Sequence, residues 1–121
     1  MAVSDEERSA ARSTVARLWK TGIDPTRHGE FRDFEQRYSL PMFREQRGFL
    51  GVLFLHSAAD AAVLTLWASR EDAERLAESS AYRATVARLE QTGLLRGEQT
   101  IEVFEMTGAH IARSLTAVGR A

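Results

Sequence analysis

An α+β fold with a four-stranded antiparallel sheet, built in the order β-α-β-β-α-β, is what this 121-residue sequence predicts. Three observations predict it. Short runs rich in β-branched and aromatic residues occur at four places, each bounded by turn residues. Two longer stretches, one after the first run and one after the third, carry apolar residues at helical spacing. The third observation is AAVLTLWAS, Ala61 to Ser69, where only Thr65 interrupts the apolar run. A strand with one wet face alternates polar and apolar residues, so a run that is apolar on both sides needs two covers.

The elements follow in order. TVARLWK, Thr14 to Lys20, reads as a strand with Val15, Arg17 and Trp19 on one face and Ala16, Leu18 and Lys20 on the other. TGIDPT is a turn, in which Asp24 suits an N-cap and Pro25 the first helical position. Phe31, Phe34 and Tyr38 stand at i, i+3 and i+7, one face of a helix that Gly29 weakens by about 1 kcal/mol. Pro41 removes a backbone donor, so a second helical piece begins near Leu40. Gly48 suits the left-handed position that ends it.

FLGVLFLHS, Phe49 to Ser57, is the second strand, and residues 58–60 are a short link into AAVLTLWAS. Ser69 to Asp72 resembles a capping box with Asp in place of Glu or Gln. Ala73, Leu76 and Ala77 line one helix face. After a break at Ser79-Ser80, a further helical stretch presents Tyr82, Val86 and Leu89 and ends through Gly93 and Gly97. TIEVFEM, Thr100 to Met106, is the fourth strand. Residues 1–13 read as a mobile N-terminal segment, 14–107 as the single domain and 108–121 as a C-terminal tail.

This is the split βαβ, or ferredoxin-like, arrangement with both helices on one face of the sheet. The helices leave the other face of FLGVLFL and AAVLTLW open. Burying it gains roughly 25 cal/mol per Å² of apolar area, and a bare patch of that kind is unusual on a soluble monomer. A second copy packed sheet to sheet about a two-fold axis is the simplest cover, so a homodimer through the open sheet face is expected.

Composition excludes several classes. The chain is 44% hydrophobic and 27% charged, with a formal net charge of -1. No electrostatic footprint for nucleic acid or an anionic membrane follows from that balance. RGFLGVLF, Arg47 to Phe54, resembles an RNA-recognition motif, but Leu50 and Gly51 break its order and it falls on the second strand, not the third. There is no cysteine, which removes disulfides and thiolate chemistry. The acidic start has no apolar run of the signal-peptide kind, and no segment approaches the roughly 20 apolar residues of a spanning helix, so a cytoplasmic setting is expected.

VARLWK, LPMFREQRGFLGV and LTLWASREDAERLAES with the following AYRATV resemble the antibiotic biosynthesis monooxygenase family over roughly residues 14 to 107. The resemblance implies a dimeric α+β barrel with a pocket between sheet and helices in each subunit. The chemistry it implies is varied: one branch oxygenates phenols or anthrones with O₂ and no cofactor, another degrades haem, and many members have no known reaction. The haem-degrading pattern would need ligating or hydrogen-bonding groups at about Ala16, Leu76 and Val86, none of which can serve. The cofactor-free pattern finds its Trp at Trp67, but Val63 and Ala73 stand where an Asn and a Tyr would be. The expected activity is a cofactor-independent oxygenation of an aromatic or polyketide-like molecule. The alternative is a dimeric binding or accessory module without turnover.

The candidate residues each carry two readings. Arg17, buried on the first strand, either stabilises a substrate anion or pairs with Glu105 on the fourth strand. His56 is a general base at the pocket or a strand-end residue facing solvent or the dimer seam. Tyr82 and Tyr38 either donate to a substrate oxygen or are core aromatics. Trp67 and Trp19 stack on a planar substrate or fill the core. Met42 and Phe43 wall the pocket or plug the core, and Phe34 is expected among the substrate-binding residues. His28 and His110 are expected to be exposed, and no two histidines have metal-ligand spacing along the chain, so neither metal nor cofactor is expected.

Overall fold

The computed structural model describes residues 13–112. The expected N-terminal segment, up to residue 12, and residues 113–121 of the expected C-terminal tail lie outside these residues. Four strands form one antiparallel sheet: β1 (Val15–Ile23), β2 (Phe49–His56), β3 (Asp60–Trp67) and β4 (Leu95–Glu105), in the spatial order β2-β3-β1-β4. Between β1 and β2 run α1 (His28–Phe34), a π-helical turn (Glu35–Ser39) and α2 (Leu40–Arg44). Between β3 and β4 run α3 (Arg70–Leu76) and α4 (Ser80–Gln91). The β-α-β-β-α-β order and the antiparallel ferredoxin-like sheet are as the sequence indicates.

The helix-facing side of the sheet is set by register. Val15 pairs with Trp67, Arg17 with Thr65 and Trp19 with Val63, and all six are buried. Thr65, the single polar residue of the apolar run, is satisfied inside the core. Its hydroxyl accepts from Trp67 Nε1 at 2.7 Å and donates to the Arg17 carbonyl at 3.4 Å. Trp67 is fully buried and meets the Phe49 ring edge-on at a centroid distance of 5.8 Å. Phe31, Phe34, Met42, Phe43, Leu76 and Leu89 close the core from the helices.

On the opposite side, Leu18, Leu53, Leu64 and Leu66 are half-buried while Leu55 and Phe104 are exposed. This is the open apolar face that AAVLTLWAS announces. Among the described residues no helix is long and apolar enough to cross a membrane.

Several boundaries differ from the expectation, each for a local reason. β1 runs on to Ile23, past the Thr21-Gly22 pair assigned to a turn. Asp24 does not cap a helix. Its carboxylate accepts from the Thr26 amide and hydroxyl and pairs with Arg96 of β4 at 3.0 Å, and α1 starts only at His28. β4 begins at Leu95 rather than Thr100, because Gly97 sits inside it at φ 70 where the pairing with β1 shifts register. Ala77 is exposed, just past the end of α3. Ser69 caps α3 through the Asp72 amide and Ser79 caps α4 through the Tyr82 amide. Gly48 takes φ 79 at the passage into β2, and a Cβ there would fall against the Asp72 side chain.

Candidate functional site

A cleft opens between the sheet and the two helical layers. β1 supplies Arg17 and Trp19 to its floor and β3 supplies Val63. One wall is Ser39, Met42 and Phe43 of the π-helical turn and α2. The other is Tyr82, Thr85, Val86 and Leu89 of α4. The cavity volume is about 40 Å³, room for water but well under the roughly 300 Å³ of a pocket that encloses an organic ligand.

Arg17 dominates the chemistry of this cleft. It is 4% exposed, yet it makes no ion pair with any described residue. Glu105 pairs instead with Val15 and is exposed, so the Arg17–Glu105 bridge does not form. One Arg17 N–H donates to the Tyr82 hydroxyl at 3.0 Å, and the guanidinium lies 5.1 Å from the Tyr82 ring centre. A phenol offers an oxygen and a π-face but no negative charge. A buried cation with that partnership is electrostatically short of one anion. The Tyr82 hydroxyl hydrogen has no protein acceptor among the described residues. The pair therefore offers both N–H and O–H donors at the cleft.

Trp19 is held in the floor by its indole N–H, which donates to Gln99 Oε1 at 3.1 Å, and Gln99 Nε2 donates on to Glu90 at 3.0 Å. Phe43 stacks on Phe49 at a centroid distance of 6.0 Å and presents its remaining surface to the cleft.

The cleft thus gathers Arg17, Trp19, Phe43 and Tyr82 of the sequence candidates. Trp67 and Phe34 are core residues outside its lining. Tyr38 is 36% exposed, tilted against Phe34 and lying under the Arg88 guanidinium at 4.5 Å. The π-helical turn explains Tyr38. Its wider spacing breaks the 3.6-residue period that would carry Tyr38 onto the buried stripe.

His56 stands apart from the cleft in a second polar cluster that sequence reasoning missed. Its Nε2 lies 3.0 Å from both carboxylate oxygens of Glu35, which is 3% exposed. Its Nδ1 lies 3.3 Å from Nδ1 of His28, and His28 Nε2 lies 3.0 Å from the Ala58 carbonyl. His28 is therefore half-buried and partnered rather than exposed. The signal for Glu35 was present, since it falls four residues after Phe31 on the same helical stripe. Burial pushes the Glu35 carboxyl up to about 8, against a smaller opposing pull from Arg32. Burial, then the neighbouring His28 and Arg32, hold His56 below its ordinary value. Among the described residues no group of three or more His, Cys, Asp or Glu side chains could hold a metal ion.

No family model matches the sequence, and no curated protein matches it. Solved structures match in fold. A Caulobacter crescentus protein provisionally named an antibiotic biosynthesis monooxygenase aligns at TM-score 0.67 and 16% identity, over 87% of this chain and 100% of its own. SnoaB, a cofactor-independent oxygenase from Streptomyces nogalater solved in a variant form, aligns at TM-score 0.64 and 15% identity, over 80% of this chain and 96% of its own. The Streptomyces coelicolor monooxygenase from the gene ActVA-Orf6, solved with the ligand Nanaomycin D, aligns at TM-score 0.63 and 18% identity, over 84% of this chain and 95% of its own. At these identities the likeness is one of architecture, and the chain has the α+β fold of the antibiotic biosynthesis monooxygenase structures.

Proposed function

We propose that the protein is a homodimer, joined through its open sheet faces, that binds a planar hydroxylated aromatic molecule in each cleft and oxygenates it with O₂ without a cofactor. The observation that carries this reading is Arg17, a buried cation whose hydrogen-bond partner is a phenol and not a carboxylate. An ionised phenol or enol in the cleft would supply the missing negative charge, and Tyr82 would donate a second hydrogen bond to the same oxygen. Trp19 and Phe43 provide apolar surface for a ring system. A planar ligand must part α4 from the wall formed by Ser39, Met42 and Phe43, because the present cavity is too small to enclose it.

In this chemistry the bound anion is the reductant. With an anthrone-type substrate the anion passes an electron to O₂ and the two radicals combine into a peroxide at the ring carbon. The peroxide takes back the proton lost on ionisation and eliminates water, so that CH₂ and O₂ become C=O and H₂O. The protein's share is a dry cleft, the cation that favours the ionised substrate, and a fixed ring plane. His56, outside the cleft lining, has no direct part in that step.

Oxygen uptake with a panel of hydroquinones and anthrones tests the reading. Protein-dependent uptake that falls at least tenfold in Arg17→Leu supports an oxygenase. Ligand binding without uptake supports the second reading, a binding module. One observation favours that second reading: the cleft lining holds no carboxylate, histidine or lysine that could serve as a general base.

A further inference from the structure

The cluster Ala58–His28–His56–Glu35 does not touch the cleft, and its hydrogen bonds obey a counting rule. The Ala58 carbonyl can only accept, so His28 Nε2 must carry a proton. One proton must then lie between the two Nδ1 atoms, and one between His56 Nε2 and the Glu35 carboxyl group. Three links need three protons. Several arrangements satisfy this. Both rings can be neutral with Glu35 as the carboxylic acid, or one ring can be an imidazolium with Glu35 ionised. All hold three protons and no net charge.

One proton more either sets two N–H donors face to face between the Nδ1 atoms, or makes the Glu35 acid accept from His56 Nε2 and turns its buried O–H away from that ring. One proton fewer leaves two lone pairs opposed at one link. We infer that this cluster is a proton-counted latch, closed at a single protonation state, that fastens the first turn of α1 to the end of β2 and the turn after it. His28 is the first residue of α1, His56 the last of β2, and Ala58 lies in the β2–β3 turn. Glu35 opens the π-helical turn that continues from α1. Phe31 reinforces the closed form, its ring meeting His56 edge-on at 5.2 Å. The further charge acting on both Glu35 and His56 is the Arg32 guanidinium on α1, which is exposed. It disfavours a net positive cluster and so favours opening in acid. The raised Glu35 and lowered His56 titrations agree with a cluster that keeps a proton on its acid end and sheds one from its rings.

The latch bears on the rest of the molecule through the chain. The segment it fastens runs without a break through the π-helical turn into α2, which supply Ser39, Met42 and Phe43 to one wall of the cleft. Opening the latch frees the N-terminal anchor of that wall. The inference holds whether or not the cleft oxygenates anything.

Two measurements on the ligand-free protein test it. The first is a pH titration of the imidazole ¹⁵N signals in the unaltered protein. The latch predicts that His28 and His56 titrate as one coupled unit and that His28 keeps its Nε2 proton throughout the closed range. Independent titration of both rings, each like a free histidine, would overturn it. The second is amide hydrogen exchange of α1 against pH, corrected for intrinsic rates and compared with α4. Protection in α1 should fall on both sides of a plateau, by up to tenfold per pH unit for one proton. Glu35→Gln has no acid proton to lose, and its amide N–H can still donate to His56 Nε2. It should abolish the alkaline fall and keep the acid fall. An alkaline fall that persists in Glu35→Gln would contradict the latch.

Discussion

A buried arginine beside a tyrosine is an ambiguous object until its stability effect is separated from its ligand effect. Replacing a buried charge by an apolar side chain of similar size is often neutral or stabilising, whereas deleting only its partner is costly. Arg17→Leu should therefore leave the melting temperature unchanged or raised while weakening affinity for anionic aromatics at least tenfold. Tyr82→Phe should do the reverse to the fold. It leaves the guanidinium without its 3.0 Å acceptor, and thermal unfolding should show a loss of about 1–3 kcal/mol. Trp67→Ala should cost about 3–5 kcal/mol, since the ring is fully buried and its N–H is satisfied by Thr65. Chemical denaturation checks all three. The face of Arg17 was legible in the sequence because strand alternation fixes it. Its partner was not. Tyr82 lies 65 positions away on α4, and only the packing of α4 on the sheet decides between Tyr82 and Glu105.

At the scale of elements, the strands, their faces and the caps of α3 and α4 follow from local pattern, because each rests on neighbours within a few residues. The segment from Arg27 to Arg44 does not. A π-helical turn between two short α-helices carries Tyr38 outward, while Glu35, four residues after Phe31, stays on the buried stripe beneath His56. No spacing rule contains an inserted residue of that kind. The buried pair has a pH consequence with a definite sign. Glu35 is raised from 4.5 to about 8, so the folded state holds more protons and stability declines as pH rises between those values. His56 is depressed, so its contribution is complete above 6.5 and is lost as pH falls below it. The two slopes oppose one another as pH falls below 6.5, so the net dependence is shallower there than above it. Above 6.5 the Glu35 slope stands alone, a loss of up to about 1.4 kcal/mol per pH unit until about 8. Denaturant titrations across that range should show the decline, and Glu35→Gln should flatten it.

For the whole molecule, the outer sheet face is the apolar surface left uncovered by the helices. Leu55 and Phe104 are exposed at opposite edges of a field of half-buried leucines, a surface suited to its own copy. In the proposed dimer, Leu55→Asp places a charge in the seam without touching the monomer's core. It should convert the dimer to monomer in sedimentation equilibrium with little change in secondary structure. The run AAVLTLWAS made this face visible from the sequence, since an apolar strand must be covered twice. The cleft volume was not visible, because it depends on how far α4 stands from α2.

The most direct test of the central claim is isothermal titration calorimetry of a hydroxylated anthraquinone into the protein and into Arg17→Leu, at pH values either side of the ligand's phenol ionisation. The account predicts tighter binding of the ionised ligand and a loss of at least tenfold in Arg17→Leu, the equivalent of about 1.4 kcal/mol, with the melting temperature of the free protein preserved. Equal affinity in the two proteins, or no preference for the anion, would contradict it.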